Sequence, residues 1–365
     1  MAPGQKLLFT FFLCSSSFLL TGKGVEVVEG SSRHHHQHHH HVKHNGVDTK
    51  KLFVFGDSYA DTGNNRISNG DSWKLPYGIT FPGKPSGRFS DGRVFTDFLA
   101  RYLGLKSPVA YKFRRFGGKH LKYGMNFAFG GTGVFDTTAP YPNMTTQIDF
   151  FERLLNESVF TPFDLETSIA HVSLVGNDYS AYLSRGGSVQ GLQTFIPQVV
   201  NELVVDIKRI YKLGVKKISV TALQPLGCLP RSTIQNSFQR CNDTFNQAVI
   251  FHNTLLQQAV TNLNNNHTHG SPIVIIDLYN AFLSVIQQNA TNQQGSSKFA
   301  NPMRPCCRGI SPAYYCGNVD QNGNNMYTVC QHPNNYFFWD DSHPTQAGWE
   351  ALTTALQPNL DSLQR

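Results

Sequence analysis

Apolar positions along this chain fall into two periods. Short β-branched or apolar runs bounded by turn formers occur at Leu52–Phe55, Ile169–Val175, Lys217–Thr221 and Ile273–Leu278, and runs of this kind predict strands buried on both faces. Between them lie segments of helical period. From Leu192 to Leu213, Phe195, Val199, Leu203, Ile207 and Ile210 recur at spacings of three and four, and Gly214 supplies a stop. A second helix is expected from Thr244 to Leu263. A third follows Pro344 in PTQAGWEALTTAL, with the proline in its first turn. Strand and helix in alternation predict an α/β fold, a three-layer α/β/α sandwich around a central parallel sheet joined by right-handed crossovers. No repeat or linker interrupts the pattern after residue 50, so residues 51–365 are expected to form a single domain. Ligands of such sheets bind beyond the carboxyl ends of the strands, which directs attention to the residues just after each run.

The first 50 residues depart from this pattern. Met1–Lys6 leads into LLFTFFLCSSSFLL, an apolar stretch of 14 residues interrupted by three serines, followed by the small-residue region Thr21–Gly24. This predicts a signal peptide over residues 1–24, too short to span a membrane. Residues 25–50 read as a disordered leader with HHHQHHHHVKH at its centre, a composition that can bind metal and needs no fold. Secretion agrees with five glycosylation sequons, at Asn143, Asn156, Asn242, Asn266 and Asn289. It also agrees with the cysteines. Of seven, Cys14 falls in the signal; the other six, Cys228, Cys241, Cys306, Cys307, Cys316 and Cys330, form an even set that predicts three disulfides. PLGCLPRSTIQNSFQRC makes a compact loop closed by its own ends, which favours Cys228 with Cys241 and leaves the last four to staple the loop before the C-terminal motif. Zinc is the rival for these cysteines, but their spacing lacks the paired C-x2-C of structural sites. The expected location is therefore extracellular, with no stable membrane anchor.

Composition narrows the class. With 40% hydrophobic and 15% charged residues the chain can bury a sizeable core and is no solvating disordered protein. The formal charge is +7, and YKFRRFGGKHLKY, Tyr111 to Tyr123, mixes basic and aromatic residues as nucleic-acid binders do. Secretion argues against a nucleic-acid partner. A solvated surface segment is the plainer reading, with weak attraction to anionic polymers as its functional counterpart.

The chemistry-bearing residues stand where the strand pattern places them. FVFGDSYADTGNN runs three apolar residues, preceded by Leu52, into Gly-Asp-Ser, so Ser58 ends the first strand. A serine hydroxyl needs a histidine base and an acid to orient it. Among the histidines outside the leader, His343 alone has a suitably spaced acid beside it, in WDDSHPTQAGW, with Asp340 three residues before it and Asp341 as a competing orienter. Acyl transfer also needs donors for a developing oxyanion. SLVGNDY places the Asn177 amide at a strand terminus, and GMNFAFGGTG supplies a glycine-rich turn whose N–H groups can point inward. Taken singly, each feature reads as a turn, a cap or a surface loop; their order along the chain is what sets them apart.

That ordered set resembles the plant-type GDSL esterase/lipase family of the SGNH hydrolase superfamily, over about residues 51–358. The blocks FGDSYADTGNN, NFAFGGTG, VGNDY and DDSHPT occur in sequence. The resemblance implies the SGNH, flavodoxin-like hydrolase fold and an esterase needing neither cofactor nor metal. Ser58 would be the nucleophile, His343 the base and Asp340 its orienter. The Ser58 N–H, Gly130 and Asn177 would form the oxyanion hole, with Gly131 a close alternative to Gly130. Small-molecule, lipid or polysaccharide esters would be the substrates, in the cell wall or apoplast, with acyl transfer to other alcohols as a side activity. Two departures, Tyr59 for the family's leucine and Phe129 for a usual serine, are expected to reshape the acyl pocket.

Other hydrolase and nucleotide classes are excluded. There is no G-x-S-x-G and no H-E-x-x-H, and in GITFPGKP the proline at 85 stands where a phosphate loop needs Ser or Thr. The rival from another class is a catalytically silent binding or storage protein on the same fold.

Overall fold

The computed structural model describes residues 51–68, 70–174, 176–266, 272–291 and 298–364, with no side chains described at 288–291. The expected signal peptide, the leader with its histidine run, and Cys14 lie outside the described residues. Six strands form one parallel sheet: β1 Leu52–Gly56, β2 Val109–Ala110, β3 Gly124–Asn126, β4 Ile169–Ser173, β5 Lys217–Thr221 and β6 Ile273–Ile276. Their order is β2-β3-β1-β4-β5-β6, so β1 sits centrally between β3 and β4. The expected α/β/α sandwich is therefore present.

Alternation along β1 divides the core. Phe53 and Phe55 face one side, where they pack with Ile148 and Phe151 of the helix Met144–Asn156 and with Val199, Leu203 and Ile207 of the helix Leu192–Leu213. Leu52 and Val54 face the other, against Phe95, Phe282 and Trp349. Both faces being covered is why the sequence shows a continuous apolar run there.

Some boundaries differ from expectation. The run after Ile169 ends as a strand at Ser173, and Val175 lies outside the described residues; β6 stops at Ile276, and a helix begins at Leu278. The C-terminal helix spans Gln346–Ala355 and is capped by Thr345, whose Oγ1 accepts from the Gly348 N–H at 2.8 Å. Pro344 thus precedes the cap instead of occupying the first turn, because the threonine side chain takes the amide that would otherwise be unsatisfied.

The six cysteines from Cys228 onward all pair, as Cys228–Cys241, Cys306–Cys330 and Cys307–Cys316, which removes the zinc reading. The last two clamp a small antiparallel hairpin, β7 Cys307–Gly309 with β8 Tyr327–Val329. They also reach the C-terminal motif directly: the Cys306 N–H donates to the Phe338 carbonyl at 3.0 Å, and that of Cys307 to the Trp339 carbonyl at 2.7 Å. Of the sequons, Asn156 and Asn266 are exposed, while Asn143 and Asn242 are half-buried helix caps accepting from the Thr146 and Phe245 N–H groups. The side chain of Asn289 lies outside the described residues.

Candidate active site

Ser58 is delivered by the end of β1. Gly56 has φ +142°, and a Cβ there would fall 2.0 Å from the Ser173 carbonyl oxygen of β4, so only glycine lets the chain turn at this point. Gln147, buried on the covering helix, accepts from the Gly56 N–H at 2.8 Å and donates to its carbonyl at 2.9 Å. The turn closes through the Asp57 carbonyl, which accepts from the Ala60 and Asp61 N–H groups at 3.0 and 2.9 Å. Ser58 is held at its apex, 6% exposed.

His343 comes from the loop that the disulfides clamp, and its ring bridges the two sides. Nε2 lies 2.8 Å from Ser58 Oγ, and Nδ1 lies 2.8 and 2.9 Å from the two Asp340 oxygens. A carboxylate only accepts, so Nδ1 carries the proton and Nε2 of the neutral ring accepts from the serine hydroxyl. Asp340 also accepts from the N–H groups of Ser342 at 2.9 Å and His343 at 2.8 Å, and from the Tyr77 hydroxyl at 2.7 Å. Asp341, the competing orienter, instead accepts at Oδ1 from the Ser342 hydroxyl at 3.1 Å.

Electrostatics follow this geometry. Burial disfavours the imidazolium of His343, but the charge and hydrogen bond of Asp340, with Asp341 and Asp57 behind it, outweigh burial and raise its pKa. Burial likewise opposes charge on Asp340, yet His343 and the convergent donors hold its pKa below the usual carboxylate value.

The expected oxyanion donors are gathered but not all free. Asn177 opens the helix Asn177–Ser184, and its amide donates to Asp57 Oδ2 and to the Thr132 carbonyl, both at 3.0 Å. Gly130 gives its N–H to Oδ2 of the buried Asp61 at 3.1 Å. Its neighbour Gly131, at φ +88°, has no hydrogen-bond partner for its N–H among the described residues, nor does the Ser58 N–H. The glycine pair therefore divides into one amide that anchors the turn and one that remains available.

Sequence reading missed Tyr77, Asp61 and Gln147. Asp61 Oδ1 accepts from the Gly63 and Asn64 N–H groups at 2.7 Å each, and burial pushes its pKa up to about 6. Asp61 lies within the first quoted block, where a second acid closely following Asp57 was a signal; Tyr77 left none. Tyr59 is 2% exposed, donates to the Ser342 carbonyl at 2.7 Å and meets the His343 ring edge-on, so it braces the histidine loop. Phe129 is buried and stacks on Tyr141. A cavity of about 470 Å³ opens beside Asp341 between Phe238, Pro312 and Tyr314, with neither Ser58 nor His343 in its wall.

Residues 52–356 match the model of the GDSL-like lipase/acylhydrolase family. The chain belongs to that family. It is 51% identical to the GDSL esterase/lipase At5g03610 of Arabidopsis thaliana, over 97% of each chain, and 50% identical to At3g09930 of the same plant, over 98% of each. Among solved structures, the acetylxylan esterase Axe2 of Geobacillus stearothermophilus covers 85% of this chain and is itself covered over 94%, at 13% identity and a TM-score of 0.39. As a member of the family, this GDSL protein is a carboxylic ester hydrolase, acting on ester substrates. No helix among its described residues is long and apolar enough to cross a membrane.

Proposed function

We propose that this GDSL hydrolase is a secreted serine esterase or lipase that works through an acyl-enzyme. The observation that carries the reading is the relay from Ser58 Oγ to His343 Nε2 at 2.8 Å and from Nδ1 to Asp340 at 2.8 Å. Ser58 attacks the ester carbonyl carbon as Nε2 takes its proton, and Asp340 stabilises the imidazolium. Collapse of the tetrahedral intermediate expels the alcohol, which receives that proton. Water then repeats the sequence on the acyl-serine, releasing the acid and restoring Ser58.

The oxyanion is assigned to the Ser58 N–H, the Gly131 N–H and the Asn177 amide, with Gly130 as the anchor of the turn. Asn177 would turn to the oxyanion the hydrogen it gives to the Thr132 carbonyl in the free enzyme. Each such donor contributes about 2.7–4 kcal/mol to the transition state. Residues 1–24 are proposed as the signal, 25–50 as the leader and 51–365 as the hydrolase domain. The five sequons are proposed as glycosylation sites, of which exposed Asn156 and Asn266 are the most accessible. Secretion is supported by three disulfides.

A fluorophosphonate probe tests this reading, since it labels only an activated serine. Adduct on Ser58 in the wild type, lost in His343→Ala, is expected. An unlabelled wild-type protein would instead favour a silent binding or storage protein.

A further inference from the structure

We propose that the rim formed by residues 111–123 and the neighbouring loop at Arg66–Ile67 is a docking surface for an anionic lipid bilayer. Between Asp97 and Asp136 the chain carries seven Lys or Arg and no acidic residue, a local excess equal to the whole chain's +7. The segment is built as two 3₁₀ turns, Tyr111–Phe116 and Gly118–Tyr123. Two of its cations face inward: Lys112 Nζ donates to the Asn65 carbonyl at 2.6 Å, and Arg114 lies over the Tyr111 ring. Arg115, Lys119 and Lys122 are exposed and have no ion pair among the described residues. Between them stands Phe116, 86% exposed. The neighbouring loop repeats the combination, with exposed Arg66 followed by Ile67 at 56% exposure.

The two stretches are tied together and to the catalytic frame. The Lys112 N–H donates to Asn64 Oδ1 at 2.9 Å, and Phe113 meets the Trp73 ring edge-on. Asn64 Nδ2 holds the Asn126 and Ala128 carbonyls at 2.8 Å each, and Asn65 Nδ2 reaches the Gly130 carbonyl at 3.3 Å. The 111–116 turn follows the carboxyl end of β2 in an all-parallel sheet, the end from which Ser58 emerges, and the 118–123 turn leads back to the amino end of β3, where Gly124 is level with Leu52.

Cations alone would serve any polyanion. The exposed phenylalanine and isoleucine distinguish the occupant, because a hydrated polymer offers no apolar phase, whereas a bilayer interface takes both the rings and the charges. Each Lys or Arg at an anionic membrane is worth roughly a fivefold gain in partitioning, screened by salt.

The test is co-sedimentation of the secreted protein with phosphatidylcholine vesicles, with and without phosphatidylglycerol. It is run at about pH 7.5, where a histidine of ordinary pKa near 6.5 is mostly neutral and the leader adds little charge. Retention on phosphatidylglycerol vesicles that falls at least tenfold in Lys119→Glu/Lys122→Glu, and roughly tenfold in Phe116→Ala, is expected. Hydrolysis of a soluble short-chain ester should be unchanged in both, which separates docking from catalysis. No retention, or equal retention by wild type and variants, overturns the proposal. So does retention that ignores Phe116 and is matched on polygalacturonate, which would make the rim a polyanion surface.

Discussion

Replacing Asp340 by asparagine removes one charge and one of the two acceptor oxygens of the carboxylate. In the wild type Oδ1 accepts from the Ser342 and His343 N–H groups, Oδ2 accepts from Tyr77, and Nδ1 of His343 lies against both oxygens. The asparagine carbonyl must stay on the two backbone donors, so its NH2 takes the place of Oδ2. That group donates, so Nδ1 loses Oδ2 as an acceptor and must either crowd onto the carbonyl already taken by two backbone donors or turn to the NH2 and accept from it. In the second arrangement the proton moves to Nε2, which donates toward Ser58 and can no longer accept its proton. In Ser-His-Asp triads the wrong tautomer lowers kcat by about 10⁴, or about 5.5 kcal/mol of barrier. The same loss is expected here in kcat for a p-nitrophenyl ester, with the fold unchanged by circular dichroism.

The pH profile adds a second readout. Because Asp340 outweighs burial in raising the His343 pKa, wild-type kcat/KM should fall as pH drops through a value above the ordinary ~6.5. In Asp340→Asn the raising charge is gone while burial remains, so the residual acid limb should move to lower pH. Asp341→Asn is the control and should stay within about threefold of wild type, since its carboxylate holds Ser342 and not the imidazole. An Asp340→Asn enzyme within tenfold of wild type, or an Asp341→Asn enzyme that loses more, would refute the assignment.

Three further variants probe the supports of the site. Asp61→Asn cannot accept the turn amides and the Gly130 N–H together, since one of its ends donates; a loss of about 1.5–3 kcal/mol should appear as a roughly 10- to 100-fold fall in kcat/KM, and an unchanged rate would deny Asp61 its hold on the glycine turn. Tyr77→Phe removes a donor that holds Asp340 against the ring, so kcat/KM should fall about tenfold through lost positioning, while the less-shared carboxylate charge should shift the acid limb to higher pH; an unmoved profile would reduce Tyr77 to packing. Cys306→Ser/Cys330→Ser opens a 24-residue loop, worth about 3 kcal/mol by chain entropy; the urea midpoint should drop with activity, and an unaltered midpoint would refute the clamp.

Legibility in the sequence followed the length of the signal. β1, β4, β5 and β6 announced themselves because strands buried on both faces read as apolar runs, and the helix Leu192–Leu213 matched its expected bounds because a long amphipathic period ends at Gly214. β2 and β3, two and three residues long, are too short to show any period, and the glycine that opens β3 made it read as a turn. Ser58, Asp340 and His343 could be named from order and spacing, but whether Asp340 or Asp341 faces the ring depended on where the loop's backbone amides point. The choice between Gly130 and Gly131 turned on Asp61, 69 residues away. Tyr77 lies 263 residues from the carboxylate it touches, and no local pattern records such a contact. The adjacent cysteines 306 and 307 left their partners open for the same reason.

The central claim is that Ser58 forms the acyl-enzyme, and the most direct measurement is hydrolysis of a p-nitrophenyl ester series from acetate to palmitate by wild type and Ser58→Ala. Turnover by the wild type that disappears in the variant across the whole series is predicted. Equal rates in the two proteins would contradict the account.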